Sequence, residues 1–354
     1  MKKKNKNFFK LDNGSVLPVN QNLFLTPFLT KTTKGTNYFD PPPKEQTSKS
    51  YFASKVWQLH QFLDIFNTIN INLKKKTFLD VGTGNGLIPK VLIATKSIKS
   101  VLGTDLYSPY EHGSSNIPLE NEINTKKFFK IISKCIKNGF LNYDYYKNNL
   151  NETAELGVFN PQNICLKKPI FALSNKYKFK KYGAHSLGSL NQKFDIIYCK
   201  GIEHFPDWKK VVKNFKLVSR KNSIVYLRIR PFYSYLGPHR YATTCIPWGH
   251  ALMNDNEYER YVMEHHSNRK DQMLNSFYNS ITYPRYTIND LINIFEKNNF
   301  MLYGQKIETP PFLEKIFMNK KKIKNFDNII KERINNLDKN ELFSSSQHLI
   351  FKKI

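Results

Sequence analysis

The chain has 354 residues, too many for one minimal domain and too few for three, so it predicts one large α/β domain with insertions, or two domains. Hydrophobic residues make up 40% and aromatics 14%, enough for a core, and composition excludes collagen, coiled-coil, disulfide-scaffold and globally disordered chains. Lys and Arg number 55 against 28 Asp and Glu, a net charge of +27, and no apolar run approaches the roughly 20 residues that would span a bilayer. Residues 1–50 read as a loosely packed basic N-terminal arm, with lysines at 2–4 and prolines at 41–43 that block helix and central strand alike. No apolar stretch follows the basic start, so a secretory signal is not expected and a cytoplasmic location is.

From residue 51 the pattern changes. Phe52, Val56, Leu59, Phe62, Leu63 and Phe66 recur at steps of three and four, which predicts an amphipathic helix. Residues 77–81 (TFLDV) predict a buried strand, 87–95 a helix and 101–106 (VLGTDL) a second strand. Strand, Gly-rich turn, helix and strand within about 30 residues make a βαβ unit with parallel strands. The polar, aromatic stretch at about 107–176 reads as an insertion. Strands follow at 177–182, 194–199 (FDIIYC) and 223–229, with a helix at 208–218 between the last two. A second insertion covers about 231–284: an aromatic, Pro-rich segment to His250, then a polar helical stretch at 254–278. A Thr-capped helix at 287–299, a strand at 300–307, a lysine-rich helical segment and a last strand at 348–354 complete the chain. Alternation of this kind predicts a doubly wound sheet for residues 51–354.

The charge is weak evidence for a nucleic-acid partner. Only eight of the basic residues are Arg, and enrichment in Lys, Asn, Ile, Phe and Tyr together is what an AT-rich coding sequence produces. Phosphate and base recognition favours the bidentate guanidinium. The cysteines (Cys135, Cys165, Cys199, Cys245) show no C-x-x-C pair, so reduced thiols are expected rather than a zinc or redox motif.

The chemistry lies in residues 78–86, FLDVGTGNG. Gly82, Gly84 and Gly86 let the chain turn sharply and let backbone approach a ligand. A dinucleotide fingerprint would need a third glycine at position 87, which is Leu87. The spacing G-x-G-x-G, preceded by Asp80 and followed 25 residues later by Asp105 at the next strand end, fits S-adenosylmethionine better. A carboxylate at that strand end can accept from both ribose hydroxyls.

Through FLDVGTGNG, VLGTDLYS (101–108) and FDIIYCKGIEHFPDW (194–208), the sequence resembles class I S-adenosylmethionine-dependent methyltransferases of small-molecule and glycan-biosynthesis type. The resemblance implies a Rossmann-like seven-stranded sheet with its last strand antiparallel. It implies that Asp80 orients the glycine loop or the methionine amino group, that Gly82, Gly84 and Gly86 line methionine and ribose, that Asp105 binds the ribose diol, and that Leu106 packs on adenine. Cys199, Lys200 and Gly201 would face the methionine portion. The family's third strand usually ends in an acid; here Ala184 and His185 stand in that region, so a backbone contact or His185 is expected to substitute.

The sulfonium is an activated donor, so the protein has to align an acceptor and take up a proton. His204, beside Glu203, and His239 and His250, which flank the 237–250 segment, are the candidate bases; local capping and aromatic packing are the competing roles. Arg230 and Arg240 could hold an anionic acceptor, and Tyr233, Tyr235 and Tyr241 could stack a ring. Glu264, His265 and His266 adjoin on a polar helix but lack the spacing of a metal site. The expected activity is methyl transfer to a small molecule or saccharide precursor at oxygen. An RNA substrate is disfavoured, because CKGIEH replaces an N-P-P-Y-type motif; a non-catalytic cofactor-binding protein is the further alternative.

Overall fold

In a computed structural model the structure describes residues 7–19, 61–62, 65–66, 68–73, 75–84, 92, 98–106, 177–235, 237–238, 242–267, 270–310 and 313–354. These residues belong to two compact units. One is drawn from Met1–Asp40, Gly201–Val212 and Leu227–Ile350, the other from Pro41–Lys200, Lys213–Tyr226 and Phe351–Ile354.

The second unit carries the predicted βαβ strands. Strand β3 (Thr77–Val81) is buried throughout, β4 (Ser100–Asp105) is buried except at its ends, and β6 (Phe194–Lys200) is buried at five of seven positions. Continuous apolar runs of this kind are what parallel strands covered on both faces require. β3 pairs parallel with β4 (Asp80 opposite Gly103) and with β6 (Asp80 opposite Tyr198), and β4 pairs parallel with β5 (Tyr177–Lys181). Asp195 pins the β3–β6 register: its carboxylate accepts from the Thr77 backbone N–H (2.8 Å) and hydroxyl (2.7 Å). Phe62, Phe66, Phe78, Tyr198 and Tyr226 form an aromatic cluster, with Phe62 4.7 Å from Phe66 and 5.1 Å from Tyr198 between ring centroids. Of the two predicted early helices, residues 61–62 and 65–66 are helical, as is Leu92; the other positions lie outside the described residues.

The seven-stranded sheet has the order β5-β4-β3-β6-β7-β9-β8, with β7 at Ser219–Ile229, β8 at Phe300–Glu308 and β9 at Ser346–Lys353. The direction of β9 follows from its ends. Lys353 Nζ donates to the carbonyl of Ser219, where β7 begins (3.0 Å), while Ser345 N donates to the carbonyl of Glu308, where β8 stops (2.7 Å). β9 therefore runs antiparallel to both neighbours, and the fold is the expected doubly wound, Rossmann-like sheet with its last strand reversed. Helix α1 (Trp208–Val218) buries Trp208, Val211, Val212, Phe215 and Val218, one stripe at three- and four-residue spacing.

The first unit holds most of the remainder. Residues 7–19 of the expected arm are not loosely packed. Strands β1 (Phe8–Lys10) and β2 (Val16–Pro18) pair antiparallel, and Phe9, Leu11, Leu17 and Val19 are buried in the core of this unit. The polar stretch predicted at 254–278 is two helices, α3 (Asp255–His265) and α4 (Lys270–Asn279), preceded by the short α2 (Gly249–Leu252). Asn254 opens α3 with a capping box: its side chain accepts from Glu257 N, and Glu257 accepts from Asn254 N. Glu257, fully buried, also takes the backbone N–H of Asp12 (2.7 Å) and the Arg333 guanidinium (2.8 Å). Helix α5 (Ile288–Glu296) starts at the predicted cap Thr287, with Asp290 closing the box. The buried Glu341 carboxylate accepts from Ile288 N at 2.9 Å, and burial pushes its pKa up to about 8. The lysine-rich segment is three helices: α6 (Leu313–Lys321), α7 (Phe326–Arg333) and α8 (Lys339–Phe343). Among the described residues no helix is long and apolar enough to cross a membrane.

Candidate active site

In the second unit the parallel register brings the carboxyl ends of β3, β4 and β6 together, and the predicted cofactor residues stand at those ends. The chain leaves β3 in a turn that needs glycine. Gly82 (φ 69°) and Gly84 (φ 52°) both lie in the left-handed region, and the N–H groups of Gly82 and Thr83 donate to the Thr104 carbonyl (2.8 and 3.0 Å). Gly84 N donates to Asp105 Oδ2 at 2.8 Å, so the second acid anchors the turn made by the first strand. A Cβ at Gly84 would meet no atom of the described residues within 4 Å.

Asp80 is almost fully buried, and Thr83 Oγ1 donates to its Oδ2 at 2.6 Å. Burial raises its pKa to about 7; the Thr83 bond and the Lys200 charge pull it down, and Asp105 pushes it further up. Leu106, next to Asp105, is 66% exposed, unusual for leucine beside a buried strand end. Its side chain reaches to 3.0 Å from the position a Cβ would take on Gly183, so a larger residue there would displace it.

The chain returns from β5 by Tyr182, whose N–H donates to the Asp105 carbonyl, into a 3-10 turn at Ala184–Leu190. Ala184 is buried and His185 half-buried. Asn214 of α1 clamps the turn, donating to the His185 carbonyl and accepting from Gly188 N, both at 2.9 Å. Cys199 is buried and Lys200 half-buried at the end of β6. Asp80, Gly82, Gly84, Asp105, Leu106, Ala184, His185, Cys199 and Lys200 thus belong to one unit; Gly86 lies outside the described residues. Thr83, Gly183 and Asn214 are supporting residues that the sequence reading missed. Thr83 alone left a signal, a hydroxyl three residues beyond an acid inside a glycine turn.

The acceptor-side candidates lie in the first unit. Gly201, predicted as a cofactor contact, falls in this unit too, where at φ 94° it starts a short 3-10 turn, Ile202–His204. His204 is exposed, and its Nδ1 meets the Ser280 carbonyl. A carbonyl can only accept, so Nδ1 is the donor in this bond. His250 is different. It is buried, Nε2 donates to the Ser234 carbonyl (3.1 Å), and Phe232 packs edge-on at 5.3 Å. Burial drives its pKa down to about 3, with the Arg285 charge adding to the effect, which suits packing better than proton uptake. His239, Arg240 and Tyr241 lie outside the described residues. Arg230 is pushed down in pKa by burial, against the opposing Glu203 carboxylate, and its backbone N–H donates to Glu203 at 3.2 Å. Tyr235 packs on Trp248 (4.9 Å) and accepts from Asn319. His265 stacks on Tyr261 (4.9 Å), and His266 pairs with the Tyr261 hydroxyl (3.0 Å). Among the described residues no three His, Cys, Asp or Glu side chains are grouped to hold a metal.

No family model matches the chain, and no curated protein matches it. Among solved structures it is similar to the magnesium protoporphyrin IX methyltransferase of Synechocystis PCC 6803, at 10% identity over 90% of this chain and 91% of that one, with a TM-score of 0.38. It is also similar to a candidate S-adenosylmethionine-dependent methyltransferase of Listeria monocytogenes (9% identity, 85% and 99% covered, TM-score 0.40). A third is the plantazolicin methyltransferase bound to a triazolic substrate analogue and S-adenosylhomocysteine (12%, 89% and 92%, 0.40). Likenesses this distant carry no weight for function.

Proposed function

We propose that the chain is an S-adenosylmethionine-dependent methyltransferase that acts at oxygen on a small-molecule or glycan-precursor acceptor. The supporting observation is the pair of acids around an open glycine turn. Asp105 accepts from Gly84 N, which holds its carboxylate against the turn at the strand end where ribose hydroxyls would bind. The exposed Leu106 offers an apolar face for adenine beside it. Asp80, with Lys200 nearby, suits the ammonium and carboxylate of the methionine end. The cofactor would supply a methyl group already activated on sulfonium; the protein's share is binding, alignment and removal of the acceptor proton. His204 is the base we favour, because its bond to Ser280 fixes the orientation of an exposed imidazole. Cys199 and Cys245 form no disulfide, and a cytoplasmic location remains part of this reading.

The first experiment is thermal stabilisation by S-adenosylhomocysteine. A ligand at about 100 times its Kd stabilises by about 2.7 kcal/mol. Asp105→Ala should lose most of that shift. An undiminished shift in this variant, or none in the wild type, would remove the reading.

A further inference from the structure

A second surface, in the first unit, is built for a different partner. Helix α6 turns at Lys322 into α7, and between them lies a groove of about 460 Å³. Its apolar lining is Phe317, Ile323 and Phe326; its charged lining is Lys320, Lys321 and Asp327. Ile316, Ile323, Phe326, Ile329 and Ile330 face the core, which is the ordinary use of an amphipathic helix pair. The outer face departs from that pattern. Phe317 is 43% and Met318 55% exposed, adjacent in sequence and one turn from Lys321 on the same helix face. Lys321, Lys322 and Lys324 are exposed beside them. Lys320 is tied down, paired with Asp327 at 2.8 Å and lying over the Phe326 ring at 5.3 Å, so it stiffens the groove while its neighbours project outward.

Residues 313–333 contain seven Lys and Arg against three Asp and Glu. An apolar tip ringed by lysines, with no arginine on the exposed rim, matches a bilayer surface better than a nucleic acid. Lysine as a mobile point charge suits diffuse lipid headgroups, whereas bases and phosphodiesters reward the arginine fork. Exposed Phe and Met would be idle against a phosphate backbone, but they gain by entering the acyl boundary. We infer that the α6–α7 face is a docking surface for anionic phospholipid bilayers. Lys321, Lys322 and Lys324 hold the headgroups while Phe317 and Met318 insert. The attachment is peripheral and salt-sensitive. It does not depend on the proposed methyl transfer.

The test is co-sedimentation of the full chain with vesicles of phosphatidylcholine alone and with vesicles that also contain phosphatidylglycerol. Binding is expected only to the second, and Lys321→Gln with Lys322→Gln should weaken it about fivefold per lysine removed. Met318→Ser, at unchanged charge, should also weaken it, and both variants should keep the wild-type melting temperature and shift with S-adenosylhomocysteine. Equal binding to neutral vesicles, or wild-type vesicle binding by the lysine variant, overturns the inference. Retention on poly(U) that the lysine variant loses while its vesicle binding persists would assign the face to RNA instead.

Discussion

Asp80 and Asp105 are adjacent strand-end acids with different jobs. Asp105 is half-buried and binds a backbone N–H, whereas Asp80 is buried beside a hydroxyl and keeps its proton to about pH 7. The folded pKa of Asp80 is raised, so the stability it contributes is full below about 3.8 and drains away as pH rises to about 7. Asp80→Asn should flatten the urea stability profile across that window. If a methionine ammonium binds beside it, that charge lowers the pKa of Asp80, and binding near pH 6.5 should release a proton. Calorimetry in buffers of different ionisation enthalpy would show this for the wild type and not for Asp80→Asn. Both acids were legible in the sequence because each ends an apolar run beside glycine. Asn214 was not, because an amide acquires its role only when the fold supplies its partner, and Thr83 left no more than its spacing from Asp80.

Among the elements, Glu257 joins three: it caps α3, holds the β1–β2 hairpin through Asp12 N and pairs with Arg333 of α7. Removing it leaves a half-buried guanidinium and two N–H groups unsatisfied, so Glu257→Ala should cost about 3 kcal/mol in chemical denaturation. The exposed Arg260–Asp12 pair (2.9 Å) is the control, and Asp12→Ala should cost less than about 1 kcal/mol. Strands β3 and β6 could be read from sequence because they are buried on both faces. The hairpin could not. Each strand has three residues with one fully buried, too few for an alternation to register. The same holds for the 184–190 turn, whose small residues have no period. In the lysine-rich segment helicity was visible, but its division into three pieces depends on Asn325, in the left-handed region at φ 58°, and on the Asp338 cap.

For the whole molecule, the order of elements predicted a doubly wound sheet, because alternating strands and helices leave few connections open, whereas the reversed β9 was implied only by the family resemblance. Stability against pH sums over buried groups of opposite sign. Burial alone would raise Glu308, but hydrogen bonds from His348 and Ser346 and the Arg228 charge hold it down at about 2. Its contribution is present above about 4.5 and lost as pH falls towards 2. His250 and His348 are depressed below 6.5, so they favour the fold increasingly as pH rises to 6.5, opposing Asp80 and Glu341. As pH rises past 6.5 the histidines become neutral in both states, while Asp80 stays protonated to about 7 and Glu341 to about 8. Stability should therefore fall as pH rises from 6.5 to about 8. Glu341→Gln should abolish most of the fall between pH 7 and 8 in urea titrations.

The bond from Asp12 to Glu257 also sets a timetable. Its two ends are 245 residues apart, so during synthesis the first strand pair leaves the ribosome roughly tens of seconds before its seat exists. Until then Phe9 and Leu17 have nowhere to go. A nascent chain stalled before position 257 would display them, and chaperones that survey unfinished proteins should find this one early and release it late.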